Sequence, residues 1–470
     1  MALPPCVQVR QAEIRERQLS MRLPFRFGAA TVREATQIFF AVELADVAGR
    51  VATGYAAELM VPKWFDKNPS LSNADNEDQL RLALGIAVDQ ASAAEPMTAF
   101  GLHAAIEPAH HRLCERNGLN GLIASFGLAL VDRAVLDGLC RMEGLAVHQA
   151  VAANLPGIDA STTRDLQGFD LPGFLAGLKP AASLHLRHTV GYLDALTAAD
   201  LGDARLDDGL PECLEDEIAT YGISHFKIKL SGDPAADLGR LRAVATVLDR
   251  LPDYRVSMDG NEQFSDPAGL AELLDRIEAE PSLARLRASL LFVEQPIARA
   301  SALSTSVAAL GERILLEIDE SDGDPDAFLR ARAQGYRGIS SKSCKGFYRA
   351  LLNAARVVQW RAQGGTGYFM SAEDLTTQAG IALQQDLALA GLLNLGHVER
   401  NGHHYVDGMA GATRAEENAW LDGHGDLYRR AGGGRLRLNP DRGRLSLLSV
   451  NRAIGLGVAA GAAEATFAAL

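Results

Sequence analysis

Short apolar runs alternate with amphipathic stretches from residue 184 onward, and this alternation predicts strands at 184–190, 225–230, 254–258, 290–293, 314–318, 338–341, 368–370 and 392–398. Helical spacing falls between them, as at 234–251, 267–278 and 347–363. Eight such units predict an α/β barrel, a fold of about 250 residues. The earlier part reads differently. Strand character at 7–15 and 37–44, a turn at 47–50 and a strand at 51–59 precede helical spacing at 75–90 and 121–141, so residues 1–155 form an α+β unit. Residues 156–180, rich in Pro and Gly, read as a connection with little regular structure. The barrel then occupies 180–425. Alternation resumes at 434–450, and the segment 430–470 is expected to return to the first domain.

Three of the barrel strands end on an acid: Asp259, Glu294 and Asp319. They recur every ~25 to 35 residues, the repeat of one strand, loop and helix. Strand ends on one rim of a barrel converge, so three carboxylates there surround one point. An all-oxygen set needs a cation between its members and suits a hard divalent ion, Mg²⁺ above all. Each acid alone also reads as a strand-end or helix-capping carboxylate. Glu294 goes further, because it closes an apolar run expected to be wholly buried, where an ionised side chain requires a partner.

Lys227 and Lys229 stand two apart on one strand and therefore share a face. A lysine pair can guard an edge strand. A closed barrel has no edge, and two inward lysines then need an anionic site. With Lys342 after the sixth strand, the set reads as a metal-assisted acid/base centre.

Composition narrows the class. The chain has 470 residues, more than one core usually supports, and its 47% hydrophobic and 22% charged content is ordinary for a globular protein. A formal net charge of −13 argues against a nucleic-acid partner. Cys6, Cys114, Cys140, Cys213 and Cys344 are scattered without a Cys-x-x-Cys pair, which favours reduced thiols in a cytoplasmic setting. Residues 1–20 show no secretory signal, and the apolar tail 453–470 reads as a packed segment, not a membrane span.

The ordered series Phe226-Lys-Ile-Lys229, Met258-Asp-Gly-Asn261, Val293-Glu-Gln-Pro296, Ile318-Asp-Glu-Ser321 and Ser341-Lys342 resembles the motifs of the enolase superfamily. The series resembles in particular the muconate-lactonizing-enzyme-like subgroup of the mandelate racemase/muconate lactonizing enzyme family. Leu128-Ala-Leu-Val-Asp-Arg-Ala134 is similar to a helix of that family's capping domain. The resemblance implies a modified TIM (β/α) barrel with an N-terminal α+β capping domain. It implies Asp259, Glu294 and Asp319 as Mg²⁺ ligands, and Lys229 and Lys342 as acid/base groups on opposite faces of a small-molecule carboxylate substrate. Lys227 would bind the substrate carboxylate or tune Lys229. The implied activity is abstraction of an α-proton through an enediolate, in a racemase, epimerase or cycloisomerase. An acid-sugar dehydratase or other syn-eliminating lyase, and a non-catalytic metal-binding paralogue, are the alternatives. A homo-oligomer is expected, as is common among relatives.

The chain departs from the family pattern after Lys342. It reads Ser343-Cys-Lys-Gly346 where a Gly-Gly pair is frequent, so Lys345 is a rival that would face away if the strand continued. Cys344 reads as a packed thiol. Glu373 lies near the seventh strand end, where it resembles a position lining the site, although a helix-terminal carboxylate reads equally well. Asn261 joins the substrate-binding candidates. Two capping loops, around 24–31 and 60–65, offer Arg26, Phe27, Trp64 and Phe65 as further contacts. The polar stretch 67–77 would extend that lid. His403 and His404 follow the eighth strand and could contact substrate, although they read first as loop or surface histidines.

Overall fold

The computed structural model describes residues 3–28, 30–203, 205–377 and 379–470. The N-terminal unit begins with an antiparallel sheet of β1 (Val7–Phe27), β2 (Ala30–Asp46) and β3 (Val51–Met60), in that order. Period-two alternation divides its two faces. Ile38, Phe40, Val42 and Leu44 join the core of the unit itself, whereas Phe39, Ala41, Tyr55 and Ala57 join the barrel core. On the first face lie α1 (Asn73–Ser92), α2 (Ala99–Arg116) and α3 (Gly121–Glu143). Asn120 starts α3 by accepting from the backbone N–H of Leu122 and Ile123, both at 3.0 Å, and Gly144 at φ 66° ends it. The helix rests on β3 backbone to backbone. A Cβ on Gly54 would lie 1.9 Å from the carbonyl of Ala134.

Two differences from the sequence reading concern the cap. The helix α2 has no counterpart among the expected elements, because its Pro and its run of His and Arg mask the helical period. The expected loop at 24–31 is the tip of a hairpin that prolongs β1 and β2, with Phe25 opposite Val32 and Phe27 opposite Ala30. A register shift between Ser20 and Phe25 bends this ribbon. Ala29 lies outside the described residues.

The barrel comprises β4 (Ser183–Val190), β5 (His225–Lys229), β6 (Arg255–Asp259), β7 (Leu290–Glu294), β8 (Leu316–Ile318), β9 (Gly338–Ser341), β10 (Phe369–Ala372) and β11 (His397–Arg400). All pair in parallel, in the order β10-β9-β8-β7-β6-β5-β4-β11. Among the described residues no backbone ladder joins β10 to β11, so the expected full closure is made there by side chains. Arg400 donates to Asp374 at 3.0 Å, and the Asp374 N–H donates to Glu399 at 2.9 Å.

The apolar stretch around residue 392 is the end of a helix, Ile381–Leu392, and not the start of the eighth strand. Every residue of that helix is buried, so no polar stripe marks its period. Arg444–Ser446 pairs antiparallel with the start of β4, and Phe467 packs against Phe39 and Tyr55 of the cap at 6.4 and 5.1 Å between ring centroids. Among the described residues no helix is long and apolar enough to cross a membrane.

Candidate active site

The ladders set Lys229 beside Asp259 and Asp259 beside Glu294, so three neighbouring strands deliver their last residues side by side. Asp319 follows directly after β8, and Lys342 directly after β9. All five side chains are buried. Lys229 Nζ lies 2.6 Å from Asp259 Oδ2, and Lys342 Nζ lies 2.5 Å from Asp319 Oδ2. Lys227 sits amid four carboxylates: Glu294 at 2.6 Å, Glu373 at 2.8 Å, Asp259 at 2.9 Å and Glu399 at 3.1 Å.

Such a nest is electrostatically uneven. Burial opposes charge on Lys227, but the four surrounding acids outweigh it and hold the ammonium well above its usual range. For Asp259, burial is likewise overcome by Lys227 and Lys229, and for Asp319 by Lys342 and Lys345, so both carboxyls stay below the usual range. Glu294 goes the other way. Burial, followed by the charges of Asp259 and Glu373, raises it well above the carboxylate range against the opposing charge of Lys227, whose Nζ lies 2.6 Å from Oε2 but outside hydrogen-bonding geometry. The centre is therefore short of positive charge at Glu294. An all-oxygen donor set with that deficit is of the kind that suits a hard divalent cation. Among the described residues the acids whose oxygens lie within 4.8 Å of one another are Glu294, Glu317 and Glu373, which share only Glu294 with the expected triad of Asp259, Glu294 and Asp319.

Local structure orients these groups. Gln295, held at φ 34°, accepts from the backbone N–H of Asp319 at 2.9 Å and of Ser321 at 3.1 Å, and its amide donates to Ser321 Oγ at 2.8 Å. It thereby ties the ends of β7 and β8 and explains why a glutamine follows Glu294. Asn261, at φ 41°, donates its backbone N–H to Asp259 Oδ1 at 2.8 Å and its amide to Glu320 at 3.2 Å.

A small cavity of about 20 Å³ lies between these strand ends and the cap. Lys227, Lys229, Asp259, Asn261 and Lys342 line it from the barrel, and Phe25, Phe27, Val61 and Trp64 roof it. Lys342 Nζ stands 4.2 Å from the centre of the Trp64 ring. Of the other sequence candidates, Arg26 lies on the alternate face of β1 from Phe25 and Phe27 and does not line the cavity. Phe65 packs against Phe126 in the cap core. Glu373 is fully buried behind the cavity, paired with Arg187 and Lys227. The lid stretch 67–77 is not a free loop: Lys67 reaches the barrel at Glu262, 2.5 Å away, and α1 begins at Asn73. Arg299 also donates to the carbonyls of Trp64 and Phe65, at 2.8 and 3.0 Å.

Lys345 does not face away. The chain leaves β9 in a 3₁₀ turn over Ser343–Lys345, which swings Lys345 back to Asp319 at 3.2 Å and Asp322 at 3.3 Å. It does not line the cavity. Cys344 is buried, and burial pushes its thiol well up. His403 and His404 are also buried, not on the surface.

Sequence reasoning missed Arg187, Glu317 and Glu399. Glu317 precedes Asp319 by two and so occupies the same inward face one layer deeper, where burial and Glu373 raise its carboxyl well above the usual range. Arg187, inward on β4, is wholly buried and pairs with Glu373. Only Glu317 carried a signal, a charge within the apolar run Ile314-Leu-Leu-Glu-Ile318; Arg187 and Glu399 stand among polar neighbours.

No family model matches the chain. A hydrophobic dipeptide epimerase of Citrifermentans bemidjiense is 29% identical over 252 residues, which are 52% of this chain and 55% of that protein. The chain thus matches about half the length of this curated relative. Among solved structures, an enolase from Bradyrhizobium complexed with magnesium and mandelic acid superposes with a TM-score of 0.59 at 18% identity, covering 98% of each chain. A dipeptide epimerase from Enterococcus faecalis V583, complexed with Mg and the dipeptide L-Leu-L-Tyr, gives a TM-score of 0.57 at 14% identity, covering 93% of this chain and 99% of that one. The chain has the enolase-superfamily fold. Within that fold, the enolase-like cap supplies Phe25, Phe27 and Trp64 to the cavity, and the barrel supplies the ionisable groups.

Proposed function

We propose that this enolase-like chain is a Mg²⁺-dependent isomerase that epimerises the α-carbon of a hydrophobic dipeptide or related N-substituted amino acid. The observation that carries the reading is the placement of two lysines. Lys229 ends β5 and Lys342 follows β9, four strands apart in an eight-stranded cylinder, so they face one cavity from opposite sides. Each is ion-paired with an acid of the proposed metal set.

In this mechanism one lysine, as the neutral amine, takes the α-proton from its face of the substrate. The opposite lysine, as the ammonium, delivers a proton to the other face, and configuration inverts. Asp259, Glu294 and Asp319 would hold the Mg²⁺, which when bound stabilises the negative charge that develops on the substrate carboxylate oxygens. Burial of both lysines under the cap keeps water from competing for the proton. The closed cavity has space for about one water. Phe25, Phe27 and Trp64 must therefore shift to admit a dipeptide, and their apolar surfaces favour a hydrophobic side chain. The dipeptide assignment draws further support from the curated relative's own activity.

Incubation with Mg²⁺ and hydrophobic dipeptides, acylated amino acids and sugar acids in D₂O tests this. Deuterium at the α-carbon together with the inverted isomer is the expected result for the dipeptides. Water loss from sugar acids without dipeptide exchange would replace the reading with a lyase. Tight binding of a dipeptide that never exchanges deuterium would replace it with a binding protein.

A further inference from the structure

A second polar cluster lies away from the lysine cavity, between β4, the helix Leu214–Tyr221 and the short helix Gly402–Tyr405 that follows β11. His188, Glu217 and His403 each present a ligand atom, all within 4.8 Å of one another, and all three residues are buried. His188 Nδ1 lies 3.1 Å from His403 Nε2, and His403 Nε2 lies 3.2 Å from Glu217 Oε2. For a tetrahedral ion with ligands at about 2.0–2.1 Å, neighbouring ligand atoms stand about 3.3 Å apart. Both measured edges come close to that value.

Hydrogen bonding alone accounts poorly for the cluster. Glu217 Oε1 is taken by His404 Nδ1 at 2.7 Å, which fixes the carboxylate plane. Its Oε2 is then aimed at the two imidazoles but finds no donor in hydrogen-bonding geometry, although the residue is 0% exposed. A buried carboxylate oxygen without a donor is costly. His188 supplies none, because its Nδ1 faces His403 Nε2 at 3.1 Å and not the carboxylate. His404 stands where a supporting residue of a metal site stands, orienting a ligand without being one.

We infer that His188, Glu217 and His403 form a binding site for a zinc-type divalent ion, distinct from the oxygen-rich centre at Asp259, Glu294 and Asp319. Two nitrogens and one carboxylate oxygen match zinc and its neighbours and suit magnesium poorly. The ion would be structural. It would join the first barrel strand, the helix before β5 and the turn after β11. That turn carries the cap hairpin, because Arg22 donates to the His404 carbonyl at 3.0 Å and the Tyr405 ring packs on Phe25 at 4.4 Å between centroids.

The full chain, stripped with chelator, returned to excess Mg²⁺ and given Zn²⁺ or Co²⁺, tests the site. The expected result is retention of about one Zn²⁺ per chain through gel filtration, a raised melting temperature, and the intense visible absorption of low-coordinate Co²⁺. All three signals should persist in Asp259→Asn and be lost in His403→Gln and Glu217→Gln, with folding checked by circular dichroism. Should those two variants fail to fold, an anomalous-scattering peak at the zinc edge in wild-type crystals decides: density between the three residues upholds the site, and its absence removes it. A wild-type chain that retains no Zn²⁺, or whose Zn²⁺ is lost in Asp259→Asn, overturns the inference.

Discussion

Lys229 and Lys342 look alike at first contact. Each is buried, lines the same cavity, pairs with one proposed metal ligand and stands near a cap aromatic ring, Phe25 at 6.0 Å for Lys229 and Trp64 at 4.2 Å for Lys342. Their supports differ. Lys229 ends a strand with ladders on both sides, and the barrel alone positions it. Lys342 sits where β9 breaks into a 3₁₀ turn, and the next residue is tied elsewhere: the Ser343 hydroxyl donates to Glu58 of β3 at 3.2 Å, and its N–H donates to Asp386 at 2.9 Å. One lysine is thus fixed by the barrel, the other by barrel and cap together. Disturbing the cap should therefore affect the Lys342 half of the reaction more than the Lys229 half.

The largest expected effect separates the two halves outright. Lys229→Met and Lys342→Met should each slow epimerisation by about 10²- to 10⁴-fold or more, the usual range for loss of a general acid or base. Each variant should still exchange the α-proton of one substrate isomer in D₂O, and the retained isomer should be opposite in the two. If both variants keep exchange with the same isomer, the lysines do not serve opposite faces and the comparison fails.

A smaller effect concerns the lysine that accompanies each acid. Asp259 shares Lys227 with Glu294, Glu373 and Glu399, whereas Asp319 has Lys345 to itself and Asp322. Lys345→Met should slow exchange of the isomer served by Lys342 by about tenfold, equivalent to about 1.4 kcal/mol for one charge-assisted contact. Exchange of the other isomer should change less than about twofold. Equal slowing of both would assign Lys345 to the stability of the centre as a whole.

Lys345 also shows where the sequence was legible and where it was not. Strand ends could be read because burial enforces apolar runs and the inward side chains keep a period of two; hence Lys227, Lys229, Asp259 and Glu294 emerge from pattern alone. The turn after Lys342 has no such signature. Its geometry depends on Asp319, 26 residues earlier, and on contacts with the cap. The same holds for Arg187, whose partner Glu373 is 186 positions away, and for Glu399, which meets Lys227 across 172. Local pattern predicts which face a side chain occupies, not which distant charge awaits it. Arg26 and Phe27 make the same point on the cap: adjacent on β1, they face opposite ways, and only the hairpin register decides which one roofs the cavity.

The smallest effect on rate comes from the cap support of Lys342 itself, which acts first on stability. Burial raises the Glu58 carboxyl to about 7, even though Arg133 lies 3.1 Å away and opposes the rise. The folded chain therefore holds this proton more tightly than the unfolded one. The resulting stabilisation is complete below the ordinary value near 4.5 and is lost as pH climbs through 7. Its upper bound is about 3 kcal/mol, at 1.36 kcal/mol per pH unit. Glu58→Gln cannot ionise, so the melting temperature of the variant relative to wild type should rise between pH 5 and pH 8. The variant also keeps an amide oxygen for the Ser343 hydroxyl. If Glu58 matters to chemistry only by seating the turn after β9, the exchange rate of the Lys342-served isomer should follow the same pH course in wild type and flatten in Glu58→Gln, while that of the Lys229-served isomer stays the same in both. A pH-independent difference in melting temperature would show that Glu58 is already ionised at pH 5, with Arg133 outweighing burial.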